Sequence, residues 1–191
     1  MDKILLIMRG APGCGKTTFI KEYGLDIYTL SPDALRLMFQ NPVRTENGRM
    51  GISQENENLV WGILNRMLNK RMKRGDFTVI DATNSRGSDI RRYKSKAEAY
   101  GYDEVYCIDF FDTPIEVCKE RNRQREAFRY VPEYRIEEMY ENYKNASVPS
   151  GITVIKSQEA YTGRMEEIIR DLVDRGTGKM GTREAEYDLE K

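Results

Sequence analysis

The sequence contains no histidine, three cysteines in 191 residues, and a single tryptophan. Without histidine, the commonest general acid–base side chain and a leading zinc ligand are both missing. Cys14, Cys107 and Cys118 are odd in number and lack the spacing of a metal site. A zinc centre, a histidine mechanism and a disulfide framework are thereby set aside, and a reduced, cytoplasmic setting is the expectation. Net charge is lacking too, since 31 Lys and Arg balance 31 Asp and Glu. Such a chain does not coat nucleic acid through bulk charge, although one basic groove can survive a neutral sum. No apolar run approaches the roughly 20 residues that span a bilayer. The opening run MDKILLIM is cut at once by Arg9 and a glycine turn, so it reads as a buried strand and not as a signal peptide.

What is present is an alternation of strand and helix patterns. Strands are expected at Ile4–Met8, Ile27–Leu30, Phe77–Ile80, Glu104–Phe111 and Ile152–Ile155. Helices are expected at Lys16–Tyr23, from Ser31-Pro32-Asp33 to Phe39, at Ser53–Lys73, Ser88–Tyr100, Pro114–Arg123, Pro132–Lys144 and Thr162–Arg175. In the long helix the apolar stripe is read as Val60, Ile63 and Met67, with Arg71 next in line. Asn41–Gly51, with its proline and Asn-Gly breaks, reads as a loop, and 176–191 as a polar, disordered tail. Strands joined by helices of this length make right-handed crossovers and a parallel sheet. The fold class expected is α/β, a three-layer sandwich forming one domain over 1–175.

Gly10-Ala-Pro-Gly-Cys-Gly-Lys16-Thr17 fits the phosphate-loop pattern in full, between an apolar strand and a helix start. Its glycines let the backbone wrap closely around phosphate oxygens, and the helix end adds partial positive charge. Gly13, Cys14, Gly15, Lys16, Thr17 and Thr18 are the expected ATP contacts. Lys16 would face the β- and γ-phosphates, and Thr17 would hold Mg2+, largely through water. Cys14 is read as a tolerated small residue in this loop.

Three further groups carry chemistry. Asp33 and Arg36 lie three apart in a first helical turn, beyond the carboxyl end of a strand, where open sheets bind substrates. The aspartate could take a proton from a hydroxyl and the arginine could hold a phosphate; an acid complementing the helix dipole, within a surface ion pair, fits the same spacing. Asp81, Thr83 and Asn84 follow the third strand and could support magnesium or an acceptor, or simply make a turn. Arg121 and Arg125 stand four apart in RNRQR, a candidate lid spanning about 121–144, or a solvated basic helix face. An arginine closing over a transferring phosphate is worth ~10³–10⁵ in rate.

These motifs in this order, GAPGCGKT, Asp33-x-x-Arg36, VIDATN, and RNRQR with Val131-Pro132 downstream, resemble the polynucleotide 5′-hydroxyl kinases of phage and bacterial nucleic-acid repair. The resemblance covers about residues 3 to 157. It implies a P-loop NTPase-type domain with an arginine-bearing helical lid, ATP as phosphate donor with Mg2+, and an RNA or DNA 5′-OH end as acceptor. It further implies Lys16, Asp33 and Arg125 as catalytic groups, with Asp33 the general base. Arg36 would contact the acceptor's 3′-phosphate, Arg121 the nucleotide, and Asp81 would help build the acceptor site. Many relatives continue into phosphatase or ligase domains; here no D-x-D-x-T nucleophile is found, and Asp109-Phe-Phe-Asp112-Thr has the wrong spacing. Separate ligase or phosphatase proteins would then complete the pathway. Arg86, Arg91, Arg92, Lys94 and Lys96, with Lys70 to Arg74, could line the approach for phosphates. Two other readings stand beside this one: a P-loop kinase of a nucleoside, sugar or antibiotic, and a non-catalytic nucleotide-binding switch.

Overall fold

In the computed structural model, which describes residues 2–44, 48–160 and 163–177, the opening apolar run becomes strand β1 (Ile4–Arg9), buried along its whole length. It pairs in parallel with β5 (Thr78–Asp81) on one side and β6 (Glu104–Asp109) on the other. β2 (Thr29–Leu30) extends the sheet beyond β5, and β7 (Thr153–Lys156) beyond β6. The order is β2-β5-β1-β6-β7, parallel throughout. Ile4, Leu6 and Met8 point into one apolar layer, Leu5 and Ile7 into the other. A strand covered on both faces needs apolar residues at every position, which is why β1 reads as an unbroken run.

One layer holds α1 (Lys16–Glu22), α5 (Ile115–Arg123), α6 (Glu133–Lys144) and α8 (Gly163–Thr177), contributing Phe19, Cys118, Ile136 and Leu172. The other holds α2 (Pro32–Phe39), α3 (Glu57–Arg74) and α4 (Gly87–Ala99), contributing Leu35, Leu64 and Tyr93. The chain leaves β1 toward β5 and β2, then returns to β6 on the opposite side. The crevice at the carboxyl end of β1 is therefore the switch point at which such sheets bind ligands.

A buried charge network braces that edge. Arg9, 1% exposed, donates through Nε to the Asn84 carbonyl at 3.0 Å and through NH2 to the Ser85 carbonyl at 3.3 Å. Its guanidinium lies 3.8 Å from Asp109 and 4.5 Å from the Tyr143 ring centroid. Asp109 also accepts from Lys156 at 2.8 Å and from the Phe111 amide at 3.0 Å. Charges buried this way are tolerated because every one has partners.

Several boundaries differ from the sequence reading. The second strand shrinks to two residues, because Asp26–Tyr28 forms a 3₁₀ turn with Ile27 74% exposed. The long helix starts at Glu57, and its buried row is Val60, Leu64, Leu68 and Met72, with Met67 39% exposed. Apolar residues occupy both candidate rows, so the packing of α2 and the sheet decides which is covered. The expected loop carries a two-stranded antiparallel ribbon, β3 (Val43–Arg44) with β4 (Met50–Gly51); residues 45–47 lie outside the described residues. β6 stops at Asp109, whose side chain turns the chain by capping Phe111. A short α7 (Ser157–Ala160) precedes α8, which runs on to Thr177; its expected start at Thr162 and the tail from 178 lie outside the described residues.

Candidate active site

The glycine loop connects β1 to α1, and its close packing places everything else. Gly13 has φ +83°, and a Cβ there would lie 2.3 Å from the Cys118 carbonyl oxygen, so the loop rests directly on the backbone of α5. Only glycine fits this contact. It brings the end of α5, and the arginines that follow, to the loop. Lys16 folds over the loop, donating to the carbonyls of Gly10 at 2.7 Å and Ala11 at 3.2 Å. Thr17 and Thr18 stand exposed on the first turn of α1. The Cys14 side chain is buried and does not line the cleft, so any contact from this residue comes through its backbone.

A cleft of about 930 Å³ opens between the two elements. Gly13, Gly15, Lys16, Thr17, Thr18 and Lys21 line one wall, and Arg121, Gln124, Arg125, Glu126 and Arg129 the other. Arg121 and Arg125 do meet at one site, but not through helical spacing. Helix α5 ends at Arg123, with Gln124 as its cap. The segment beyond is held by Asn122, fully buried, which donates to the Val131 carbonyl at 2.7 Å and accepts from the Val131 amide at 3.1 Å. This two-way amide clasp closes the arginine-bearing loop like one rung of a sheet. The arginine segment ends there, since α6 packs Ile136, Met139 and Tyr140 into the core.

Asp81 ends β5 at the floor of this region. Burial, the largest influence, raises its pKa; Lys16, Arg125 and Arg129 draw it down, and Asp33 pushes it up. One carboxyl group thus lies in the field of four charged residues from the glycine loop, α2 and the arginine loop. Arg125 is half-buried, and burial lowers its pKa against the pull of Asp33 and Asp81. A half-buried cation and a carboxyl of raised pKa, each within the other's field, are typical of a site arranged for a charged ligand.

On the far side stands α2. Ser31 caps it, accepting from the Ala34 amide at 3.5 Å, and Pro32 occupies the first turn. Asp33 is half-exposed and accepts from Arg36 NH1 at 2.5 Å. Arg36 is 12% exposed and donates to Glu57 through Nε at 2.6 Å and NH2 at 2.8 Å. Trp61 Nε1 donates to the same carboxylate at 2.9 Å. These bonds, Arg36 first, hold the Glu57 carboxyl below the ordinary glutamate range. Burial opposes the Arg36 charge, but Glu57 and Asp33 outweigh it and raise its pKa.

Asp33, Arg36, Asp81, Lys16, Arg121 and Arg125 therefore gather at one edge. Asn84 does not join them as a surface group. It is 4% exposed, with φ +48°, and its amide donates to the Met8 carbonyl at 2.7 Å. The Thr83 carbonyl accepts from the Gly10 amide at 3.0 Å. Both residues stitch the end of β5 to the start of the glycine loop, because the buried backbone of β1 needs partners there. Glu57, Trp61, Asn122 and Arg129 escaped the sequence reading. Arg129 continues the four-residue spacing of Arg121 and Arg125, a visible signal; nothing local links Glu57 to an arginine 21 residues away.

Of the basic cluster, Lys94 pairs with Glu98, Lys96 donates to Asn69, and Arg71 donates to the Tyr28 carbonyl, so these side chains do not form one track. Arg92 instead rests over the Trp61 ring, 5.4 Å from its centroid. Among the described residues, no helix is long and apolar enough to cross a membrane.

Comparison with known proteins agrees with this architecture. No curated protein sequence matches the chain. Among solved structures, a chain of the Pnkp1/Rnl/Hen1 RNA repair complex is similar, with a TM-score of 0.59 and 24% identity over 74% of this chain and 44% of that one. This chain thus spans less than half the length of that relative. A sugar kinase from Janibacter sp. matches with a TM-score of 0.52 and 19% identity, over 92% of each chain. Kti12 from Chaetomium thermophilum, in complex with ADP-AlF3, matches at 0.51 and 15%, over 90% of this chain and 98% of that one. At these identities the likeness is one of fold. Residues 5–146 match the model of the AAA domain family, so the chain belongs to that family, with the fold of the P-loop kinases.

Proposed function

We propose that this chain transfers the γ-phosphate of ATP to the 5′-hydroxyl end of a polynucleotide. The observation that carries the reading is the anchored Arg36 beside Asp33. Three of the five N–H groups of a guanidinium are spent, one on Asp33 and two on Glu57. The other two are left for an anion next to the candidate base. A strand's first nucleotide offers such an anion, its 3′-phosphate; a free nucleoside or a plain sugar does not.

The donor wall fits a nucleoside triphosphate. Its donors are the glycine-loop backbone, the Lys16 ammonium, two exposed hydroxyls and three arginines, a set suited to phosphate oxygens. Thr17 would hold Mg2+, with Asp81 acting through water. The ion would supply charge neutralisation between the β- and γ-phosphates.

Chemistry follows from these positions. Asp33 accepts the proton of the 5′-hydroxyl as its oxygen attacks the γ-phosphorus. The bond to the β-phosphate oxygen breaks in line, and ADP leaves with that electron pair. Arg125, with Arg129 behind it, offsets the charge spread over the transferring group. Desolvation strengthens this interaction, since the group it serves sits in a medium less polarisable than water. Arg36 keeps the acceptor in register, and Arg121 contacts the donor. Ends that need other chemistry would be prepared and joined by separate phosphatase and ligase proteins.

The test is transfer from γ-labelled ATP with magnesium to a 5′-OH RNA oligonucleotide, the matching DNA, and a free nucleoside. Label on an oligonucleotide 5′ end, lost in Lys16→Ala, is expected, and its strength ranks RNA against DNA. Label on the free nucleoside alone would overturn the polynucleotide acceptor.

A further inference from the structure

The acceptor pair does not stand alone on its side of the cleft. Arg36 is held by Glu57, Glu57 also accepts from Trp61, and Trp61 carries Arg92 on its ring. Residues from α2, α3 and α4 thus form one row, with a guanidinium at each end and a carboxylate–indole bridge between them. Its direction follows from the fold. Helices α2 and α4 begin at the carboxyl edge of the parallel sheet, and α3, which runs back toward β5, also starts there. Arg92 lies in the second turn of α4, so the row leads from the acceptor pair outward along the α3–α4 seam.

The two arginines differ in how they are held. Arg36 is 12% exposed and saturated on one side by carboxylates. Arg92 is exposed and, among the described residues, forms no ion pair with any carboxylate; its supports are the rings of Trp61 and Tyr93, at 5.4 and 5.2 Å. An arginine laid on aromatic faces is fixed in place while its N–H edge stays free for phosphate. Surface ion pairs consume the neighbouring Lys94, whereas Arg92 is spared. Tyr93 beneath it is fully buried, so the support is rigid.

Resting on the reading of the acceptor as a strand, we infer that Trp61 and Arg92 form a subsite for the second nucleotide. Arg92 binds the phosphate that follows the one held by Arg36, with the partly buried Trp61 ring as its fixed support. The subsite therefore selects strands over single nucleotides without selecting sequence.

Trp61 is the only tryptophan in the chain, so intrinsic fluorescence reports on this subsite directly. Titration with a 5′-OH trinucleotide should quench it, and a nucleoside 3′-phosphate, which stops at Arg36, should leave it nearly flat. Kinetically, Arg92→Ala should lower kcat/KM for the trinucleotide by about tenfold more than for the nucleoside 3′-phosphate. Arg92→Lys, which keeps the charge but loses the planar stack, should recover part of that difference. Equal losses on both acceptors, or a trinucleotide that is phosphorylated without any fluorescence change, would overturn the subsite while leaving the proposed reaction standing. No transfer to any oligonucleotide would instead remove the reaction and the subsite together.

Discussion

The proposed donor and acceptor sides of the site are built on different principles. The centre of the donor wall is a backbone construction: eight consecutive residues fold into a loop whose shape depends on Gly13 touching α5. The acceptor wall is a side-chain construction, in which Asp33, Arg36, Glu57, Trp61 and Arg92 are linked across three helices. A backbone cradle binds any triphosphate and can be preserved by local sequence alone. A relay of side chains is assembled only when the helices are docked, and it can be retuned one residue at a time. On this view the donor wall sets whether transfer occurs, and the acceptor wall sets onto what.

That contrast is open to direct attack. The largest effect is expected from Arg125→Ala, which removes a half-buried cation of the arginine loop that lines the cleft. Single-turnover transfer should fall by about 10³-fold or more on every acceptor, with acceptor KM little changed. A change confined to acceptor KM would move Arg125 to the other wall. Asp33→Asn comes next, with kcat lowered by roughly 10²–10⁴ while ATP affinity, measured by calorimetry, stays intact. If ATP binding collapsed instead, Asp33 would belong to the donor wall and not to proton transfer.

The smallest and sharpest test is Glu57→Gln. It keeps the shape of the Arg36 clamp but removes its charge, and charged hydrogen bonds of this kind contribute about 1.5–3 kcal/mol. KM for acceptors carrying a 3′-phosphate should rise about tenfold, with ATP binding untouched. An unchanged KM would show that Arg36 needs no partner, and the relay would lose its central link.

Much of the donor wall was legible without coordinates. The unbroken apolar run of β1, the glycine spacing, and Lys16-Thr17 at the helix start all follow from rules that act within a few residues. The Ser-Pro-Asp start of α2 was equally plain, and it brings Asp33 and Arg36 onto one turn. Where the reading failed, the deciding contact was distant in the chain. Asn84, read as an acceptor contact or part of a turn, is drawn inward by the Met8 carbonyl, 76 residues away. In α3 the row read as Val60, Ile63 and Met67 runs on into Arg71, and the row that packing buries is Val60, Leu64, Leu68 and Met72. Arg121 and Arg125, four apart, would share a face only if the helix continued; it ends at Arg123, and they meet because Asn122 clasps Val131.

By itself, then, the sequence determined the order of strands and helices, the phosphate loop, and the short motifs whose members lie within one turn. Hydrophobic periodicity, glycine stereochemistry and helix capping are local, and a few neighbouring residues suffice to express them. The tertiary structure alone decided which charges are neutralised and which stay available. Arg36 is clamped by Glu57, Arg9 is sunk beside Asp109, and Arg92 is laid on Trp61. Those choices depend on burial and on partners brought close by folding, because the energy of a charge is set by its surroundings in space and not by its neighbours along the chain.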